Sequence, residues 1–366
     1  MSATEWDSCN NDNPFLSHAF LSALESTGCA STETGWQPFH ICLRNEQGEM
    51  VGFMPLYAKR HSYGEYVFDH GWADAFERAG GAYYPKLQSS IPFSPVVSSK
   101  LLVAKGQNEP DVQKGLLQAL KQLTDNMNIS SAHLTFLPEI EAQIAAQQGY
   151  LLRQDQQFHW HNRDYKSFDD FLESLSSRKR KQVRKERQTA YSNGITIKRL
   201  KGTEISEEHI EAFYKFYLDT GNRKWGQPYL NKAFFYEITA TMPDNILLIM
   251  CMREESYIAG ALNIIGADTL YGRYWGCIEN HPCLHFETCY YQAIEFAIEN
   301  NLKTIEAGAQ GEHKLARGYE PVHTISAHWI SNQSFRTAVE NYLEHETRSV
   351  EAEINYLSAH TPFKKQ

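Results

Sequence analysis

The chain has 366 residues and a net charge of −9, a length beyond which one hydrophobic core usually stops growing, so two domains are expected. Its 42% hydrophobic, 13% aromatic and 22% charged content excludes wholesale disorder, and the acidic balance excludes general coating of nucleic acid. The longest apolar run, Ile246 to Met252, is far short of the roughly 20 residues of a membrane span, and the polar start MSATEWDSCNND lacks the apolar segment of a signal peptide.

The chain is therefore expected in the cytoplasm. Its seven cysteines, odd in number and scattered, predict reduced thiols, mostly buried, rather than a disulfide framework. In chain order, a helix is predicted from Pro14 to Glu25, then two strand-like runs within PFHICLRNEQGEMVGFMPLYAKR, joined by the turn residues Asn45 to Gly48. The stretch Asp69 to Val97, rich in Gly, Pro and aromatics, reads as loops with a short helix. A periodic helix (Asp111 to Asn126), a strand (His133 to Phe136), a helix (Ile140 to Gln148) and a strand from Tyr150 complete the first half.

In the second half, helices are predicted at Phe168 to Leu175, Lys179 to Ser192, Ser206 to Thr220 and Asn231 to Thr241, the last ending before Pro243. Strands follow at Ile246 to Met252, Ile258 to Ile265 and Leu270 to Trp275. Then come a helix (Glu287 to Glu299), a strand (Lys303 to Ala307), a Gly-rich turn, a strand (Val322 to Ile330) and an amphipathic helix from Phe335 to about Leu357. Both halves share the order helices, antiparallel meander, helix, strand, Gly-Tyr, strand, with Gly149-Tyr150 and Gly318-Tyr319 at the same place. The expected architecture is α/β, two domains at 1–160 and 161–335, each a mixed, mostly antiparallel sheet flanked by helices, and a C-terminal helix and tail at 336–366.

No GxSxG, HExxH, P-loop or GxGxxG motif is present, so serine hydrolase, zincin, NTPase and Rossmann chemistry lack motif support. Acyl transfer to an amine needs no enzyme nucleophile: the protein positions the amine, accepts a proton and stabilises the oxyanion. The segment EAGAQGEHKLARGYEP, Glu306 to Pro321, suits such a site. Gly308, Gln310 and Gly311 let backbone approach a ligand, Glu312 or His313 would accept a proton, and Lys314 or Arg317, with Tyr319, would hold an anionic group. A solvated loop between two strands is the plain alternative. Seven basic residues and one acid between Arg178 and Arg187 predict either a solvated helix face or a surface for phosphates, tRNA among them. Arg273 and Gly276, with Ile278, resemble half of a pyrophosphate-cradling turn. The aromatic stretch KWGQPYLNKAFF, from Lys224, suits core or a pocket wall, and Arg223, Lys224 and Trp225 near its start would flank a substrate. The Cys and His residues between Cys277 and Cys289 have no common zinc spacing, so no metal site is expected.

The motifs GWADAF, AYYPKLQSSIPFSPV, HWHNRDYKSFDDFLESLSSRKRKQVRKER, RKWGQPYL, GRYWGC, LHFETCYYQAIEFAIE and EAGAQGEHKLARGYEPVHTISAHWI resemble a bacterial Fem-like family, over about residues 14 to 335. Its members carry the labels peptidoglycan-biosynthesis protein or acyl-CoA N-acyltransferase. The resemblance implies tandem GNAT-like domains and transfer of an acyl or aminoacyl group, from acyl-CoA or aminoacyl-tRNA as co-substrate, to an amine of a peptidoglycan precursor or small metabolite. It also implies substrate contact by a basic residue before a Gly-aromatic turn, a position that Arg317 matches and Lys314 matches loosely. Ile278 stands where the pyrophosphate motif takes a small residue, and no helical hairpin longer than the basic helix is present. A binding protein on the same frame, holding RNA or an anionic metabolite, is the alternative.

Overall fold

A computed structural model describes residues 1–10, 12–224, 228–308 and 311–364. The chain divides into two compact units, Met1–Gln156 with His323–Glu353, and Gln157–Val322 with Ile354–Gln366. Each unit is discontinuous, where the sequence reading draws three contiguous stretches. The cause is the strand Glu320–Ile330, whose segment Ile325–Ile330 pairs antiparallel with Ser131–Leu137 of the first unit.

In the first unit Trp36–Pro38, Tyr57–Lys59 and Lys86–Ser89 form an antiparallel meander. The helix Glu109–Asn126 then returns the chain so that Leu87–Ser89 pair in parallel with residues 132–134. Leu116, Leu117 and Leu120 of that helix pack on Leu87, Leu134 and Ala142 in one core cluster. A small sheet of Ile41–Arg44, Met50–Met54 and Leu102–Val103 lies beside it. The predicted Pro14 to Glu25 helix is broken in two, because the Ser17 hydroxyl accepts from the Phe20 amide and caps a separate helix, His18–Ser26.

The second unit repeats the scheme. Thr196–Lys201, Ile246–Arg253, Ser256–Ile265 and Thr269–Cys277 are successive antiparallel strands. A crossover helix ending with Gln292–Glu299 brings Thr304–Glu306 parallel to Thr269–Tyr271, and His159–His161 closes on its other side, antiparallel. Each unit is thus a mixed, mostly antiparallel sheet with flanking helices, the GNAT-like arrangement that the family resemblance implies. Gly149 and Gly318, at φ 85° and 89°, both end a helical turn and admit a strand of 11 residues.

The predicted helix from Glu287 is the main departure. It begins as one turn, Leu284–Phe286, passes through a π-helical turn, Glu287–Tyr291, and only then becomes regular over Gln292–Glu299. Of the cysteines, Cys9, Cys29 and Cys251 are buried and Cys42 is exposed, so fewer are interior than expected. Among the described residues no helix is long and apolar enough to cross a membrane, and no group of three or more His, Cys, Asp or Glu is placed to hold a metal.

Candidate active site

The parallel ladder in the second unit stops at Tyr271 and Glu306, although its longer strand runs on to Cys277. Beyond that pair the strands part, and backbone groups that would have bonded across the ladder need other partners. Two cationic side chains supply them. Arg273 Nη1 donates to the carbonyls of Gly272 (2.9 Å) and Glu306 (3.4 Å), while Nη2 faces the Glu306 carboxylate at 3.4 Å. Lys314 Nζ donates to the carbonyls of Ala307 and, at 2.9 Å, Gly308. Both are buried: the Arg273 side chain is 2% exposed and Lys314 4%.

Lys314 reaches the gap from the short helix Glu312–Arg317. Gly308 and Gly311 take φ of 74° and 106°, values open to glycine, and the short helix Glu312–Arg317 ends on Gly318. At Gly318 a Cβ would lie 2.8 Å from the Phe171 ring, so that turn needs glycine for space as well as for φ. Burial, reinforced by the nearby Arg273 charge, lowers the Lys314 ammonium to about 7. Burial also holds His159, on the neighbouring strand, down at about 3.

Around this turn the π-helical turn and the basic helix, Ser177–Ala190, assemble a ring of polar and aromatic groups. Arg317 donates Nη2 to Glu186 at 2.8 Å and Nη1 to the His313 carbonyl at 2.6 Å, and its guanidinium lies 3.4 Å from the Phe286 ring centroid. The Tyr291 hydroxyl donates to the other Glu186 oxygen. The Tyr290 hydroxyl and His313 Nε2 are 2.9 Å apart. Arg187 turns inward too, with Glu287 at 2.9 Å and Glu295 at 3.1 Å. Burial opposes the Arg187 charge, but the Glu287 carboxylate beside it more than compensates and raises its pKa. The helix is therefore not uniformly cationic: its exposed cations are Arg178, Lys181, Arg184 and Lys185.

The residues singled out in the sequence fall into three groups. Gly308, Gly311, His313, Lys314, Arg317 and Tyr319 come together on the one turn, and Arg273 joins them at the strand gap. Glu312 belongs to the same turn and Arg223 to the helix Glu207–Lys224, but the side chains of both, and all of Gln310 and Trp225, lie outside the described residues. Gly276 is placed by packing: a Cβ there would run into the Phe216 carbonyl of that same helix. Ile278 is exposed. The sequence reading missed Glu186, Phe286, Glu287, Tyr290 and Tyr291. The signal available was the acidic Glu287 among the aromatic residues of LHFETCYY, and that side chain is fully buried.

The first unit diverges similarly past Ser89 and Leu134, but its own chain closes the gap. Ser98 N and Lys100 Nζ both donate to the Phe136 carbonyl. Its densest polar group, Lys86 with Glu65, Asp69, Tyr83, His133 and His328, is buried throughout. A cavity of about 230 Å³ in this unit is lined by Phe68, Trp72, Phe335 and Tyr342, and its one charged lining residue, Arg153, is already held by Glu346 at 2.7 Å. It presents no acid–base pair, so the turn in the second unit is the better site for chemistry.

The fold recurs in solved structures. FemX matches with a TM-score of 0.57 over 93% of this chain and 98% of that one, at 14% identity. L-PGS from Bacillus licheniformis matches at 0.52 over 91% and 96%, at 10% identity. Identities this low speak for the fold alone. No curated protein matches the chain. Residues 1–365 match the FemAB-like family, described as peptidoglycan biosynthesis/recognition, so the chain belongs to that family.

Proposed function

We propose that this protein transfers an acyl or aminoacyl group, delivered by aminoacyl-tRNA or acyl-CoA, to an amine acceptor, either a peptidoglycan precursor or a small metabolite. The observation that carries the proposal is the strand gap of the second unit, where a buried, readily deprotonated lysine and an arginine sit on a glycine-framed turn. That arrangement offers a proton acceptor and cationic hydrogen-bond donors without a protein nucleophile, which is what amine acylation needs. Membership of the FemAB-like family supports the same reading.

The test is to incubate the purified chain with labelled aminoacyl-tRNA and acyl-CoA donors and a set of amine acceptors, including precursor stem peptides. Label appearing on an acceptor amine establishes the activity and names the donor. Failure with every donor, by a protein whose fold is verified, refutes it. The exposed face of Arg178, Lys181, Arg184 and Lys185 favours one rival, RNA binding without catalysis. In that case affinity would fall steeply with salt and no acceptor would be labelled.

A further inference from the structure

We infer that Lys314 is the general base of the transfer, a neutral amine whose two N–H bonds are spent on backbone carbonyls and whose lone pair takes the proton shed by the attacking amine. The inference rests on the acyl-transfer reading above and names the residue that does its proton chemistry.

Hydrogen-bond counting sorts the buried lysines of this chain. Lys59 falls with Lys314, its Nζ donating to the Tyr63 carbonyl at 2.8 Å beside His61 Nδ1 at 3.4 Å, but Lys59 belongs to the first unit and not to the strand gap. A protonated lysine carries three N–H donors and a neutral one carries two with a lone pair. Lys86 has three acceptors: the Ser62 hydroxyl at 2.9 Å, Glu65 at 2.7 Å and Asp69, two of them carboxylates. Lys100 also has three: the Ser98 carbonyl at 2.7 Å, the Ser98 hydroxyl at 2.9 Å and the Phe136 carbonyl at 3.3 Å. Each set suits an ammonium. Lys314 has two, the Ala307 and Gly308 carbonyls, and among the described residues it has no carboxylate partner. Two acceptors and no counter-charge suit the amine.

The groups facing Lys314 favour the same form. Arg273, from the strand Thr269–Cys277, repels a second cation. His159 and the Phe158 ring, 6.0 Å from Nζ, come from the strand on the other side; His159 is held neutral by its own burial. Cys289, from the π-helical turn, is the one neighbour that favours protonation, and burial outweighs it. A base that changes form near pH 7 is matched to work at neutral pH. The other candidate on the turn, His313, is exposed and has Nε2 engaged with the Tyr290 hydroxyl.

The step balances without any added reagent. The acceptor amine attacks the acyl carbonyl carbon and a C–N bond forms. Its surplus proton passes to Lys314 Nζ, the tetrahedral carbon expels the ester oxygen or thioester sulfur, and the leaving atom takes that proton back. Lys314 ends as it began.

The test compares the full chain with Lys314→Met, Lys314→Arg and an aminoethylated Lys314→Cys in single-turnover transfer across pH, beside nitrogen NMR of the lysine-labelled protein. The wild-type rate should rise with pH through an inflection near 7. In the Met and Arg variants it should drop by about 10²- to 10⁴-fold, the size of a lost general base, with the inflection gone and donor affinity retained. Aminoethylation should restore the rate and move the inflection. An Arg variant within tenfold of wild type, or one keeping the inflection, overturns the assignment while leaving acyl transfer intact. The NMR signal needs no turnover. A Lys314 resonance, identified by its loss in the Met variant, that titrates near 7 supports the neutral amine, and one titrating in the ordinary lysine range overturns it. A near-7 titration in a protein that transfers nothing leaves the amine standing and refutes the acyl-transfer reading instead.

Discussion

Removing the Arg317 side chain strands Glu186, since the two are 2.8 Å apart with side chains only 5% and 11% exposed. Breaking a buried pair on one side costs about 3–5 kcal/mol, chiefly because the remaining charge is left uncompensated. Loss of the stacking on Phe286 adds up to about 2 kcal/mol. Arg317→Met is therefore expected to destabilise the protein by several kcal/mol in denaturant unfolding. Adding Glu186→Gln should recover part of that loss, because no unpaired carboxylate then remains. A double variant whose loss equals the sum of the singles would show that the two side chains act independently. Arg317→Lys should fall between, keeping charge but losing the planar stack. The sequence points to Arg317 by its place before Gly318-Tyr319, but nothing local reveals Glu186. It is the single acid in a run of seven bases, and only the folded helix turns it inward.

Gly276 poses a question that belongs to its strand and the helix above it. A pyrophosphate-binding glycine and a packing glycine look alike in sequence, and here the helix backbone at Phe216 occupies the space a Cβ would need. Gly276→Ala should cost about 1–3 kcal/mol in stability as the strand and helix are pushed apart. Donor affinity, measured on the folded fraction, should hold. A stable variant with weakened donor binding would restore the phosphate-cradling reading. Elements were legible where apolar residues recur at helical spacing, as in the helix Glu109–Asn126, or run together in a strand buried on both faces, as in Ile246–Arg253 and Ser256–Ile265. Among the strands that were not, two show the reason. Lys86–Ser89 is buried on both faces yet carries Lys, Gln and Ser, because Lys86 is neutralised by Glu65 and Asp69 in the interior. Thr196–Lys201 is a half-exposed strand pairing on one side with Ile246–Arg253, with two lysines and an arginine in six residues, and reads as surface. The π-helical turn leaves no pattern at all, since its extra residue shifts the helical register without changing composition.

Across the whole molecule, the buried bases make stability depend on pH in an unusual direction. His133 and His159 are held at about 3 by burial and His328 well below its ordinary value, so all three stay neutral in the fold and are protonated in the unfolded chain once the pH falls below about 6.5. Their contribution is complete above that value and is lost toward pH 3, by up to about 1.4 kcal/mol per pH unit for each group. Lys59, lowered to about 6, and Lys314, lowered to about 7, extend the trend upward. Between those values and about 10.4 the unfolded chain binds protons that the fold does not, so stability should keep rising from neutral to alkaline pH. The rise should slacken from about 8.5, where Cys251 and Cys9, held as thiols by burial, would ionise in the unfolded chain, and be reversed by about 10, where Tyr57, Tyr83 and Tyr319, held neutral by burial, would do the same. The optimum is thus expected several units above the sequence pI of 5.9. Urea unfolding at pH 5, 7 and 9 checks this, and Lys59→Met with Lys314→Met should flatten the step from 7 to 9 and remove from the step from 5 to 7 only the part that Lys59 adds above about 6. Wild-type protein no more stable at pH 9 than at 7 would mean that the two lysines keep their protons inside the fold.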